Sequence, residues 1–219
     1  MDSVKKSTRA YSSPRREAQA QATRAAIVEA ARSRFVADGY TSTTIDAVAQ
    51  DAQVSAATVY GVFGNKRALL KATMDVAIVG DLESVPLQGR DWVQALAAID
   101  DVDERVRRVF AGLRGVYERT AGLQRVVEEA AATDAELAEV AAGMGRGQRE
   151  ETSAFIRLVA GDLRLFPEIP AKDERDAIWA VTGLPVYRRL TEECGWSPAR
   201  WERWAVSLVI ALLAAARSR

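Results

Sequence analysis

Apolar residues recur at helical spacing along most of the chain. Ile27, Ala31 and Phe35 fall at i, i+4 and i+8, one stripe of an amphipathic helix expected over residues 17–38. Gly39 is placed to stop it, because glycine takes left-handed φ at C′ without steric penalty. Three short helices are expected in close succession. Thr43 and Asp46 form a Thr-x-x-Asp start signal for the second, with Ile45, Val48 and Ala49 turned inward. Ser55 can cap a third helix over 56–63. Asn65, after Gly64, can cap a fourth that begins at Lys66 and extends to about residue 79.

Beyond a linker containing Gly80, Pro86 and Gly89, the same spacing predicts helices over 103–120, 123–132, 135–163, 173–194 and 198–217. Pro167 and Pro170 mark a break before the penultimate helix. The last helix has a strong start: Ser197 at N-cap, Pro198 at N1, and Trp196 and Trp201 at the N′ and N4 positions of a hydrophobic staple. From residue 205 to 216 only Ser207 is polar. A helix apolar nearly all round is buried on more than one side, so part of this one is expected to face another subunit. No long alternating strand pattern and no fixed-period repeat is present. The expected class is all-α.

Charge changes the picture at one end. The 219 residues carry 30 basic and 30 acidic side chains. Residues 1–75 hold eleven of the former and seven of the latter, a balance of +4 that leaves −4 on the remainder. Residues 1–16 form a basic arm in which Lys5, Lys6, Arg9, Arg15 and Arg16 oppose only Asp2. A basic N-terminal part on an acidic body suits contact with a polyanion. There is no histidine and a single cysteine, Cys194. No intrachain disulfide, Cys/His zinc set or histidine acid–base pair can form, and no nucleotide-binding or nucleophile-elbow motif occurs. No enzyme activity, cofactor or metal is expected. The polar start and the short apolar run near the end predict no signal peptide or membrane span, in keeping with a cytoplasmic protein.

Residues 45–63 place two short helices around a tight turn. Val48, Val54, Val59 and Phe63 supply a small core, and Ala49 is small where the helices would touch. This pattern fits a helix-turn-helix and an ordinary helical hairpin equally well. Its context separates the two. Thr23-Arg24, Ile27, Ala30-Ala31, Phe35 and Gly39-Tyr40, then Thr44 and Val48-Ala49, then Val54-Ser55, Thr58, Tyr60, Phe63, Lys66 and Leu69-Leu70 resemble the N-terminal domain of TetR-family transcriptional regulators. The stretch covers about a fifth of the chain. Residues 177–204 are similar, more loosely, to the last two helices of one group of that family.

The resemblance implies a three-helix DNA-binding domain over 17–65 and a helical effector-binding and dimerisation domain over 66–219. It further implies a homodimeric repressor on a palindromic operator, released by a small molecule. The third helix would enter the major groove, with Tyr60, Lys66 and Thr44 on phosphates. Ser55 would cap that helix, and Ala56, Ala57, Thr58, Gly61 and Val62 would face base edges. That face is poor in hydrogen-bonding groups, so specificity is expected to come from thymine methyls, DNA shape and the arm, with Arg9, Arg15 or Arg16 in the minor groove. Gln53 stands where the family often has glycine. The dimer candidates are Trp179, Val186, Leu190, Leu208 and Leu212. Ligand candidates are the aromatics Trp92, Phe110, Tyr117, Phe155, Trp179 and Tyr187, with Arg114 to orient the molecule. The alternatives are the same fold governed by a protein partner, a helical interaction module whose basic patch is incidental, or a helical enzyme, which the missing histidine disfavours.

Overall fold

The structure, a computed structural model, describes residues 14–81, 87–160 and 171–218. Arg9, Pro86 and the break at Pro167 and Pro170 lie outside them. The described residues are helical, without strands. α1 (Pro14–Ser42) is interrupted at Gly39, whose φ of 77° ends the regular helix where the sequence predicts. It starts earlier than expected, so Arg15 and Arg16 are part of a helix rather than of an arm. α2 (Ile45–Asp51), α3 (Ala56–Phe63) and α4 (Lys66–Val79) follow, each with a side-chain N-cap. α4 ends on Gly80, in the left-handed conformation.

Three expectations for the remainder need correction. A short helix, α5 (Asp91–Leu96), follows a 3-10 turn at Leu87–Gly89, where only a linker was expected. The stretches 103–120 and 123–132 are one helix, α6 (Val102–Ala131). Gly122 does not break it, because a mid-helix glycine costs only about 1 kcal/mol and Leu123, Val126 and Val127 are fully buried beyond it. The glycine also lets α1 approach: a Cβ there would lie 3.2 Å from Val36. α7 (Ala135–Ala160) follows. The stretch 173–194 is instead broken into α8 (Ala171–Thr182), α9 (Leu184–Arg188) and a π turn at Arg189–Glu193. Pro185 cannot sit inside a continuous helix, since its ring would meet the carbonyl one turn back. Gly183 therefore turns the chain and Pro185 falls in the first turn of α9.

α10 (Pro198–Arg217) has the predicted bounds, with Ser197 accepting from the Arg200 N–H at 3.2 Å. The staple differs in its partner: Trp196 meets Trp204 edge-on, at 6.0 Å and 83°. Trp201 turns wholly inward against Phe110, Tyr117 and Tyr187.

α6, at 30 residues about 45 Å long, joins two apolar cores. One holds the helix-turn-helix: Ile27, Phe35, Val48, Val59 and Leu69 pack with Leu123 and Val127 of α6 and Leu137 of α7. The other gathers Phe110, Tyr117, Phe155, Tyr187, Trp201 and Leu213. The core beneath the N-terminal helices thus includes residues beyond 65.

Candidate nucleic-acid interface and internal cavity

Local capping builds the helix-turn-helix. Thr44, not Thr43, starts α2: its hydroxyl oxygen accepts from the Ala47 N–H at 3.1 Å. Thr43 is buried and donates to the Gly39 carbonyl at 2.7 Å. The turn between α2 and α3 closes with two bonds, Val54 N–H to the Ala49 carbonyl at 2.9 Å and Gln53 N–H to the Gln50 carbonyl at 3.1 Å. This is a Schellman closure, which puts its C′ residue in left-handed φ. That residue is Gln53, at φ 56°, the sole non-glycine with positive φ among the described residues. Arg34 ties the reading head to α1, its guanidinium donating to both Asp51 oxygens at 2.6 and 3.0 Å.

One face of α3 is open. Tyr60 is 53% exposed and Val62 40%, and Ala57 and Gly61 are exposed beside them. Thr44 and Ser55 are exposed as well. Two of the residues expected to face bases are otherwise engaged. Ala56 is half-buried against the core of its own domain. Thr58 is half-buried, and its hydroxyl pairs with that of Ser55 at 2.8 Å while its N–H donates to Ser55 Oγ at 3.1 Å.

Lys66 departs most from expectation. Its ammonium turns in under the end of α1 and donates to three backbone carbonyls: Tyr40 at 2.8 Å, Thr43 at 2.9 Å and Thr41 at 3.3 Å. It also lies 4.3 Å from the centre of the Tyr40 ring. Burial pushes its pKa below the ordinary lysine value. The three donors of the ammonium are matched by these carbonyls, so its place is to hold the α1–α2 turn rather than to project toward a phosphate.

A cavity of about 910 Å³ lies between α4, α6 and α7. Of the seven predicted ligand residues it takes in two, Tyr117 and Phe155. Trp92 stacks on Phe155 from outside at 6.3 Å. Phe110 and Tyr187 pack against Trp201, and burial raises the Tyr187 pKa. Arg114 pairs with Glu202 at 2.7 Å. Trp179 lies beneath Arg149, 5.2 Å from its ring centre. Sequence reasoning missed the walls that α4 and α7 provide, among them Met74, Ile78, Met144 and Gln148. One signal was present: Gly143, Gly145 and Gly147 sit inside an otherwise good helix, and Gly143 and Gly147 face the cavity.

The dimer candidates are half-buried in the single chain. Along α10, Trp201, Ala205, Val209 and Leu213 are buried, while Leu208 and Leu212 are only partly covered, as are Trp179, Val186 and Leu190. Among the described residues no helix is long and apolar enough to cross a membrane.

Residues 27–73 match the family described as bacterial regulatory proteins, tetR family. No curated protein matches the chain. Solved structures with the same fold include a Rhodococcus sp. protein classed with TetR-family transcriptional regulators (17% identity, TM-score 0.62, covering 88% of this chain and 98% of that one). A TetR-like transcriptional regulator from Rhodococcus sp. RHA1 has 20% identity and a TM-score of 0.55, over 88% and 96% of the two chains. The TetR family transcriptional regulator PfmR from Thermus thermophilus has 19% identity and a TM-score of 0.55, over 85% and 96%. Residues 27–73 are thus similar to the DNA-binding domain of the tetR family of bacterial regulatory proteins, and the described residues share the overall fold of solved regulators of that kind.

Proposed function

We propose that the chain is a homodimeric repressor that holds a palindromic operator through α3 and releases it when a small molecule fills the cavity between α4, α6 and α7. The observation that carries this reading is the sharing of α4 and α6. Both wall the cavity, and both pack against α1 of the reading head. A molecule that favours one spacing of α4 and α6 therefore acts on the placement of α1, provided its affinity differs between the two arrangements.

Thr44 and Tyr60 serve as phosphate contacts and the Ser55-capped start of α3 as a further donor site. Ala57, Gly61 and Val62 meet base edges by shape and apolar contact. Lys66 acts on DNA indirectly, through the turn it holds. Leu208, Leu212, Val186 and Leu190 form the apolar face that a second copy covers. The cavity favours a small effector over control by a protein partner.

A gel shift with the DNA upstream of the chain's own gene tests the DNA reading. Specific binding that Tyr60→Ala weakens at least tenfold supports it; weak, sequence-blind binding refutes it. Sedimentation tests the dimer: wild type is expected to be dimeric at micromolar concentration and Leu208→Glu/Leu212→Glu monomeric. A monomeric wild type overturns that part.

A further inference from the structure

The cavity's chemistry identifies the class of molecule it takes, an inference that rests on the effector reading above. Charge lies along one side. The Arg, Lys, Asp and Glu side chains lining it are Arg67, Lys71, Asp75, Glu136 and Glu139, on the first three turns of α4 and the start of α7. Both cations already face carboxylates. Arg67 meets Asp134 at 3.2 Å and also Glu136, and Lys71 meets Asp75 at 2.7 Å. An anionic ligand would gain either cation only by displacing a carboxylate. That exchange replaces like with like, and it adds negative charge to a rim that has three carboxylates against two cations.

The far end is apolar: Ile78, Leu87, Leu113, Val116 and Phe155. An anion there would lose its water and find no free cation, and a cation would find only Asp75, already paired with Lys71. Between the ends lies a neutral polar band. Gln148 Nε2 donates to Gln124 Oε1 at 3.2 Å across the gap between α7 and α6. The Thr120 hydroxyl donates to the Val116 carbonyl at 2.8 Å, which leaves its oxygen as an acceptor. An amide pair beside a hydroxyl offers donors and acceptors without charge. The cavity follows α4 from Arg67 to Ile78, about 16 Å at 1.5 Å per residue, so it is long rather than round.

We propose that the effector is an uncharged, elongated, mainly apolar molecule with one hydroxyl, carbonyl or amide group that meets Gln124 and Gln148. Its apolar end fills the space toward Phe155, and its neutral polar group pairs in the band between α6 and α7.

Gly147 supplies a variant that tests this without disturbing the fold. A Cβ at Gly147 meets nothing within 4 Å, and the residue faces the cavity. Gly147→Leu therefore fills the cavity, not the core. Gly145 also has nothing within 4 Å but does not line the cavity, so Gly145→Leu is the matched control.

The experiment follows Nile red fluorescence on the full chain, with displacement by three ten-carbon probes: decanol, decylamine and decanoate at neutral pH. Nile red is expected to bind wild type and Gly145→Leu, and to lose at least tenfold in affinity on Gly147→Leu. Decanol is expected to displace it at concentrations at least tenfold below either charged probe, and Gln148→Leu to remove most of that margin. A margin under tenfold, or one that Gln148→Leu leaves intact, overturns the proposed class while the cavity still binds. Binding that Gly147→Leu does not weaken, or no binding of Nile red and all three probes, overturns both the class and the effector reading beneath it.

Discussion

Replacing Lys66 by methionine separates two roles that the residue type alone cannot distinguish. Methionine keeps the aliphatic stem and removes the ammonium. In the wild type that ammonium donates to the Tyr40, Thr41 and Thr43 carbonyls within 3.3 Å and sits over the Tyr40 ring. A well-buried hydrogen bond to a charged group contributes about 1.5–3 kcal/mol. Here Thr41 is exposed and Lys66 half-buried, so water replaces part of the set in the variant. The net loss is then about 2 kcal/mol, including roughly 0.5 kcal/mol from the ring contact. Against a total of about 5–15 kcal/mol this is a clear shift in a urea transition followed by circular dichroism, with unchanged slope.

The same variant binds DNA more weakly, because the turn that carries Thr44 is no longer fixed. The salt dependence distinguishes this from loss of a phosphate contact. Removing a cation from a phosphate lowers the slope of log K against log salt by about 0.9; loosening the turn leaves the slope nearly unchanged. Lys66→Arg is not expected to rescue stability, because a planar guanidinium does not fit three carbonyls converging on a point. A stability change below about 0.5 kcal/mol, together with a slope reduced by about 0.9 per subunit, roughly 1.8 for a bound dimer, would overturn the turn-holding role and return Lys66 to the phosphate.

Three further outcomes follow from the geometry. Gln53→Gly relieves left-handed φ at the centre of the Schellman turn and should stabilise the fold by up to about 1 kcal/mol in urea melts; destabilisation would contradict the turn geometry. Gly112→Ala puts a Cβ 2.4 Å from the Trp92 ring, so it should destabilise by about 1–3 kcal/mol and alter tryptophan fluorescence, whereas an unchanged melt would show that Trp92 packs elsewhere. The carboxyls of Asp51, Glu104 and Asp176 are held below the usual carboxylate range, chiefly by hydrogen bonds from Arg34, Arg108 and Lys172 respectively. The unfolded chain takes up their protons first as pH falls, so stability present at neutral pH is lost through and below the ordinary carboxylate range; Asp51→Asn should flatten part of that loss, and an unaltered acid profile would count against the Arg34 pair.

Where the chain dictates structure locally, the sequence was readable. Asn65, Ser55 and Ser197 cap the helices they were expected to cap, and Gly39 and Gly80 turn the chain through φ values closed to other residues without strain. Boundaries set by packing were not readable. The stretches 103–120 and 123–132 were expected as two helices, yet the residues around Gly122 are buried deeply enough to carry one helix through it. Pro185 was a local signal that the apolar periodicity around it concealed. The cavity was hardest to read, because apolar periodicity does not say which stripe faces another helix and which faces space. Phe110, Tyr187 and Trp92 have the composition of a pocket and the position of a core.

The reading head sharpens one question that composition could not. Ala57, Gly61 and Val62 have no hydrogen-bonding side chains, and Thr58, the one polar side chain of α3 besides Tyr60, is tied to Ser55. Direct readout by bidentate pairs is therefore closed to this face. What it offers is a smooth apolar strip flanked by Tyr60 and Thr44, and a glycine at which a Cβ would meet nothing. On the proposed DNA reading, such a surface rewards close approach to the groove floor, and selection among sequences would then fall on groove shape and thymine methyls. The side chains that fix its depth and angle then matter as much as those that touch bases. Lys66 under the α1–α2 turn and Arg34 on Asp51 act at that level, and α4, which starts with Lys66, continues as a wall of the cavity. On the proposed effector reading, occupancy of the cavity reaches the DNA face through the placement of one helix, without any change in the reading residues themselves.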